Sequence, residues 1–231
     1  MLLRPRLLAE ALGTGLLVVA VIGSGIAAER LSPGQPGLDL LINAASTAAV
    51  LVAVLLALGP VSGGHLNPVV SLAAWAGGTL SRRETGGYVA AQVAGGAAGA
   101  IVANLMFSLP AVRLATTPRS SAGLWLAEVV ATFGLVLVVL SLVRGGRSSA
   151  APYAVAAYIG GAYFFTASTS FANPAVTVAR TLSDTFAGIA PSSVPAFVLA
   201  QLAGAALAFA TVRALYTDTS ELIGADHARG A

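Results

Sequence analysis

Apolar residues run almost unbroken through long stretches of the chain, separated by short polar or glycine-rich segments. Six stretches, at about 7–27, 38–58, 86–107, 122–143, 150–167 and 194–215, approach the ~20 residues a helix needs to cross a bilayer. Two further segments, 67–77 and 173–183, are mildly apolar, about half that length, and each opens with Asn-Pro. They are too short to span. Proline suits the first turn of a helix, where its missing N–H would be unbonded anyway. The pattern predicts an all-α membrane protein of six transmembrane helices plus two re-entrant half-helices. The stretch from 216 to 231 is polar and reads as a tail.

The chain also repeats itself. Leu8-Ala9-Glu10, with Thr14 four residues on, matches Leu126-Ala127-Glu128, with Thr132 four residues on. Asn67-Pro68-Val69 matches Asn173-Pro174-Ala175, and the segment from Tyr88 through Gln92 to Gly95 matches that from Phe197 through Gln201 to Gly204. Repeat one covers about 5–107 and repeat two about 122–215, within one membrane domain taken as 1–231. Each half holds an odd number of spans, so the halves enter the membrane in opposite senses. Inverted repeats with interrupted helices at matching places point to a pathway at the bilayer midplane.

Composition supports the membrane reading. Only 9% of the 231 residues are charged and 57% are apolar, against about 25% charged in soluble domains. All twelve basic residues are Arg and they are scattered, so no nucleic-acid patch is expected. Eight of them (Arg4, Arg6, Arg82, Arg83, Arg144, Arg147, Arg213 and Arg229) fall on the side of the termini, and four (Arg30, Arg113, Arg119 and Arg180) on the other. The richer side is cytoplasmic, which predicts both termini inside. Without Cys, disulfides and thiol chemistry are excluded. No metal, cofactor or enzymatic site is expected. The apolar start could also be a cleaved leader, but Glu10 inside it and the return of the same pattern at Glu128 argue for a span.

The matching motifs carry the chemistry. Irregular backbone at membrane depth is tolerated where it is buried in protein or lines a watery cavity. The segments 62–66 and 169–172, before each Asn-Pro, are such backbone. Opposed half-helices would bring Asn67 and Asn173 together at two positive helix ends. Glu10 and Glu128 inside apolar spans are either proton relays or acceptors for loop N–H groups, shared with Thr14 and Thr132. The second reading makes Glu10, Glu128, Gln92 and Gln201 loop supports. His65 is read as a neutral imidazole bonded within its loop. Gly95 with Gly99, and Gly204 with Ala208, permit tight helix crossing within or between subunits.

These residues resemble the two signatures of the aquaporin–glycerol facilitator (major intrinsic protein) family, and the Glu-bearing and Gln-bearing spans match its order over about residues 5–215. The resemblance implies the aquaporin fold, a homotetramer in the plasma (inner) membrane, and passive diffusion of small neutral solutes. Departures bear on the solute. Val69 replaces the last Ala of the first signature, and Val176 stands where the family usually has a filter Arg. By spacing, the other filter positions fall on Thr47, Gly161 and Ser170. All four are small, so a wide filter without a fixed cation is expected, as in the arsenic-associated bacterial members. Such a filter would pass glycerol, urea, water or neutral metalloid acids such as arsenite. Arg180, one turn beyond Val176, would guard the outer mouth or pair with Asp184. Rival readings are an ordinary water-selective or glycerol-selective channel, and an ion-coupled secondary transporter.

Overall fold

The structure, a computed structural model, describes residues 2–216; Met1 and the part of the expected tail from 217 on, with Arg229, lie outside them. The described regular elements are all helical: α1 Leu3–Leu31, α2 Pro36–Ser62, α3 Pro68–Ala76, α4 Arg82–Met106, α5 Ala122–Arg144, α6 Ala151–Phe165, α7 Pro174–Ala179 and α8 Val194–Leu215. Five of them (α1, α2, α4, α5 and α8) are long and apolar enough to cross a membrane. The expected span at 150–167 is shorter. Helix α6 has 15 residues and is entered through a 3-10 turn, Ser148–Ala150. At 1.5 Å per residue the helix is about 22 Å long, and the tighter turn adds about 6 Å. Together they nearly match the ~30 Å apolar layer.

Local chemistry sets the ends. Asn67 and Asn173 are the N-caps of α3 and α7, each followed by Pro at the first helical position. Ser81 and Glu84 form a reciprocal capping box at α4, which satisfies two otherwise orphaned N–H groups. Helix α2 ends at Gly63, whose φ of 92° is left-handed, the usual glycine stop.

Packing obeys the repeat. Helix α1 packs on α2 and α4, as α5 packs on α6 and α8. Across the halves, α7 lies against α4 and α3 against α8, while α2 meets α6 and α3 meets α7. Each pair maps onto another, or onto itself, when the halves are exchanged. The small residues work inside the chain: a Cβ on Gly95 would overlap the Ala11 carbonyl, one on Gly99 the Gly15 carbonyl, and one on Gly204 the Val129 carbonyl. Backbones this close admit no side chain between them.

Candidate functional site

A cavity of about 890 Å³ runs through the bundle. Its wall includes Arg144 and Arg213 from the C-terminal ends of α5 and α8, Asn67 and Asn173 at the starts of the half-helices, and Thr47, Tyr163, Val176 and Arg180. Its lining obeys the repeat as well. His65, Leu66, Asn67 and Val70 from the first half answer Phe171, Ala172, Asn173 and Val176 from the second.

The middle is built by exchanged hydrogen bonds. Asn67 donates from Nδ2 to the Ala172 carbonyl and Asn173 from Nδ2 to the Leu66 carbonyl, both at 2.8 Å. Each side-chain oxygen meanwhile accepts from the first turn of its own half-helix, at Val69 N for Asn67 and at Ala175 N and Val176 N for Asn173. One N–H of each amide therefore remains for the cavity. Leu66 and Ala172, whose carbonyls accept these bonds, hold φ of 48° and 47°, a region that non-glycine residues seldom occupy.

The two glutamates lie behind these loops and are fully buried. Glu10 accepts from Ser62 Oγ (2.6 Å), His65 N (3.0 Å), Leu66 N (2.7 Å) and Gln92 Nε2 (2.7 Å). Glu128 accepts from Phe171 N and Ala172 N (both 2.9 Å) and from Gln201 Nε2 (2.5 Å). The glutamines continue inward. Gln92 also donates to Ser71 Oγ, which reaches the Asn67 carbonyl, and Gln201 donates to Thr177 Oγ1, which reaches the Asn173 carbonyl. Ser71 and Thr177 were not singled out from the sequence. Both stand four residues past their Asn, which puts them over the cap on the same helix face.

Several expectations are corrected. Thr14 and Thr132 do not join the Glu bonds; their hydroxyls are buried without a partner. Glu10 already accepts four bonds, the capacity of a carboxylate. His65 reaches past its loop to Ser71 Oγ on α3 at 3.1 Å and packs edge-on to Tyr88. Val69 faces away from the cavity, into a cluster with Ala73, Val136, Ala205 and Ala208; Val70 takes the wall position equivalent to Val176.

The filter placement changes most. Thr47, Ser170 and Val176 line the cavity, but Gly161 does not: it is exposed on the far side of α6. Pro152, Val155, Ile159 and Tyr163 form the cavity face of that helix. Two residues turn a helix by about 200°, so the placement at 161 points outward while Tyr163 points in. The buried Tyr163 hydroxyl lies 3.2 Å from Thr47 Oγ1. The aromatic Tyr163 thus shares the cavity lining with the small residues Thr47, Ser170 and Val176. Ser170 Oγ is buried without a partner.

Arg180 does not pair with Asp184. That carboxylate accepts from Thr116 N (2.9 Å) and Thr116 Oγ1 (3.0 Å) and meets Arg113 Nε at 3.4 Å. The Thr116 bonds foremost, with Arg113 adding to them, hold its carboxyl below the ordinary range. Arg180 is 2% exposed, donates from Nε to the Ala187 carbonyl and lies 3.4 Å over the Phe171 ring.

A family model described as Major intrinsic protein matches residues 3–172 of the chain. The chain belongs to the major intrinsic protein family. It is 49% identical over 218 residues to a protein named aquaglyceroporin AqpS of Rhizobium meliloti (strain 1021), covering 94% of this chain and 93% of that one. It is 31% identical over 248 residues to one named aquaporin AqpM of Methanothermobacter marburgensis, covering 94% and 99%. A solved structure of the aquaglyceroporin from Plasmodium falciparum matches with a TM-score of 0.73 at 21% identity, covering 96% of this chain and 99% of that chain; this likeness speaks to the fold alone. Membership makes the chain a multi-pass membrane channel protein and not an enzyme.

Proposed function

We propose that the cavity is a passive pore for water and small uncharged solutes in the plasma membrane, with both termini cytoplasmic. The observation that carries this reading is a cavity lined by both Asn67 and Asn173, whose amides bond the carbonyls of the opposite loop, with the buried carboxylates bonded behind those loops. Glu10, Glu128, Gln92 and Gln201 hold the two loops, His65 steadies the first, and the half-helix ends disfavour cations at the centre. An ion-coupled transporter would need a carboxylate free to take the coupling ion. Glu10 accepts four bonds and Glu128 three.

Thr47, Ser170, Val176 and Tyr163 form the filter of this reading. It lacks a cation at 176 but is narrowed by one phenol. Compact hydroxylated solutes fit best: glycerol, as the name of the aquaglyceroporin relative suggests, urea, or a neutral metalloid acid such as arsenous acid. The working unit is a homotetramer with one pore per subunit. Stopped-flow light scattering of proteoliposomes with water, glycerol, urea and arsenite tests the reading. Flux should rise without saturation and without an ion gradient. Val176→Arg should cut solute flux while sparing water. Unchanged solute flux in that variant would remove the filter, and equal flux in protein-free vesicles would remove the pore.

A further inference from the structure

The guanidinium of Arg180 is buried in the wall of the cavity and forms no ion pair among the described residues, Glu128 being the one carboxylate whose charge reaches it. Its contacts are the Nε bond to the Ala187 carbonyl and the stack on Phe171. Both terminal NH2 groups, four N–H donors in all, are left over. The nearest acid in sequence, Asp184, is engaged by Arg113 and Thr116. A buried charge without an anion is costly unless something polar solvates it. The unpartnered Ser170 Oγ lines the same cavity; the remaining solvation must come from what passes through. A second guanidinium, Arg119, lies 5.2 Å from the same ring and is bonded to the Gly188 and Phe186 carbonyls, outside the lining.

We propose that Arg180 is the charge that sets specificity in this pore: its free N–H fork holds acceptor oxygens of a neutral solute, and its fixed charge turns back protons and metal cations. It stands about 6 Å beyond Val176 along the half-helix. The cation missing at 176 is thereby supplied one turn further out, and the throat stays wider than a filter with Arg at 176 would leave it. This rests on the reading of the cavity as a pore.

A purely structural strut, pinning the loop around Ala187, is the competing role, and charge separates the two. Proteoliposomes loaded with a pH-sensitive dye are given a potassium diffusion potential, and proton leak is read beside glycerol flux. Arg180→Gln should raise proton leak by roughly an order of magnitude, since one unit charge near a low-dielectric path is worth several kT. Arg180→Lys loses the planar fork and keeps the charge; it should hold the leak near the parent value while slowing glycerol. Arg113→Gln removes the same charge from an exposed loop and should change neither. Parent-like leak in Arg180→Gln overturns the proposal, as does a leak in Arg180→Lys equal to that of Arg180→Gln. Fluxes of water, glycerol, urea and arsenite all equal to those of protein-free vesicles would instead overturn the pore itself.

Discussion

Asn67 and Ala172 are 105 residues apart in the chain and joined by one 2.8 Å hydrogen bond, from the Asn67 amide to the Ala172 carbonyl. Ala172 immediately precedes Asn173, which returns the same bond to Leu66, the residue before Asn67. Each asparagine therefore caps its own half-helix and ties down the other loop. The left-handed φ at Leu66 and Ala172 is what turns each carbonyl toward the opposite half. Such a conformation costs about 1–3 kcal/mol, and the N–H bond to a glutamate on one side and the carbonyl bond on the other hold it in place.

Substitution at this joint should be felt twice. Asn67→Ala removes a cap worth about 1 kcal/mol and a buried bond worth about 1 kcal/mol. Asn67→Asp keeps the cap but sets a carboxylate oxygen against the Ala172 carbonyl. The aspartate variant should be the less stable of the two in detergent, with a lower thermal midpoint than Asn67→Ala, and Asn173→Asp should behave alike. An aspartate variant as stable as the parent would contradict the joint.

Glu128→Gln should unlatch the second loop. Glu128 accepts from the N–H groups of Phe171 and Ala172 and from Gln201. An amide in its place offers an NH2 where an acceptor is needed, and each buried donor left without a partner costs about 1–3 kcal/mol. The thermal midpoint should fall, and hydrogen exchange at Phe171 and Ala172 should quicken ahead of exchange in α5. Glu10→Gln should do the same to His65 and Leu66.

What the sequence could carry depended on the duplication. Asn67, Asn173, Glu10, Glu128, Gln92 and Gln201 stand out because each polar residue recurs in the other half at the same place in an apolar context. Helix register across an irregular loop has no such aid. Counting back from Asn173 to α6 passes Thr169 and Ser170, both left-handed, and reaches Gly161, which lies outside the cavity lining that Tyr163 joins. Helical phase within α6 itself, at Val155, Ile159 and then Tyr163, marks the cavity face directly. The fate of Arg180 was not legible either. Asp184 lies four residues away, a spacing that favours pairing on a helix, but α7 ends at Ala179 and the chain leaves helical geometry by Ser183. Arg113 and Thr116, from the loop between α4 and α5, reach the carboxylate instead.

The corrected phase of α6 gives a test with opposite outcomes at two nearby sites. A Cβ at Gly161 would meet only Phe165 Cε1, at 3.9 Å, and Gly161→Ala should leave solute flux unchanged. Tyr163→Ala removes a phenol from the cavity wall and the bond to Thr47. Flux of glycerol and of bulkier polyols should rise in stopped-flow assays, with the ratio of glycerol to water flux increasing. The reverse ranking of the two variants would restore Gly161 to the filter.

The loop that carries Asp184 supplies a pH dependence of definite sign. The bonds from Thr116, helped by Arg113, place the folded pKa of Asp184 below its ordinary 3.8. A depressed carboxyl stabilises the folded state in its ionised form. Its contribution is complete above the unfolded value and is lost as pH falls through the lower, folded one. Attachment of the Asp184 loop to Thr116 should therefore stay constant from neutral pH down to about pH 4, then weaken on further acidification. Protection of the Thr116 amide against hydrogen exchange, corrected for the intrinsic pH dependence, reports this attachment directly. Asp184→Asn can still accept both Thr116 bonds, which share one oxygen, but loses the charge facing Arg113, so its Thr116 protection should be lower than the parent's at neutral pH and should lose the acid transition. A parent transition well above pH 4 would mean that the carboxyl is not held down by these bonds, and an Asn variant with full protection would mean that Thr116 is fixed by its neighbours, since Ala115 already donates to the Thr181 carbonyl at 2.9 Å.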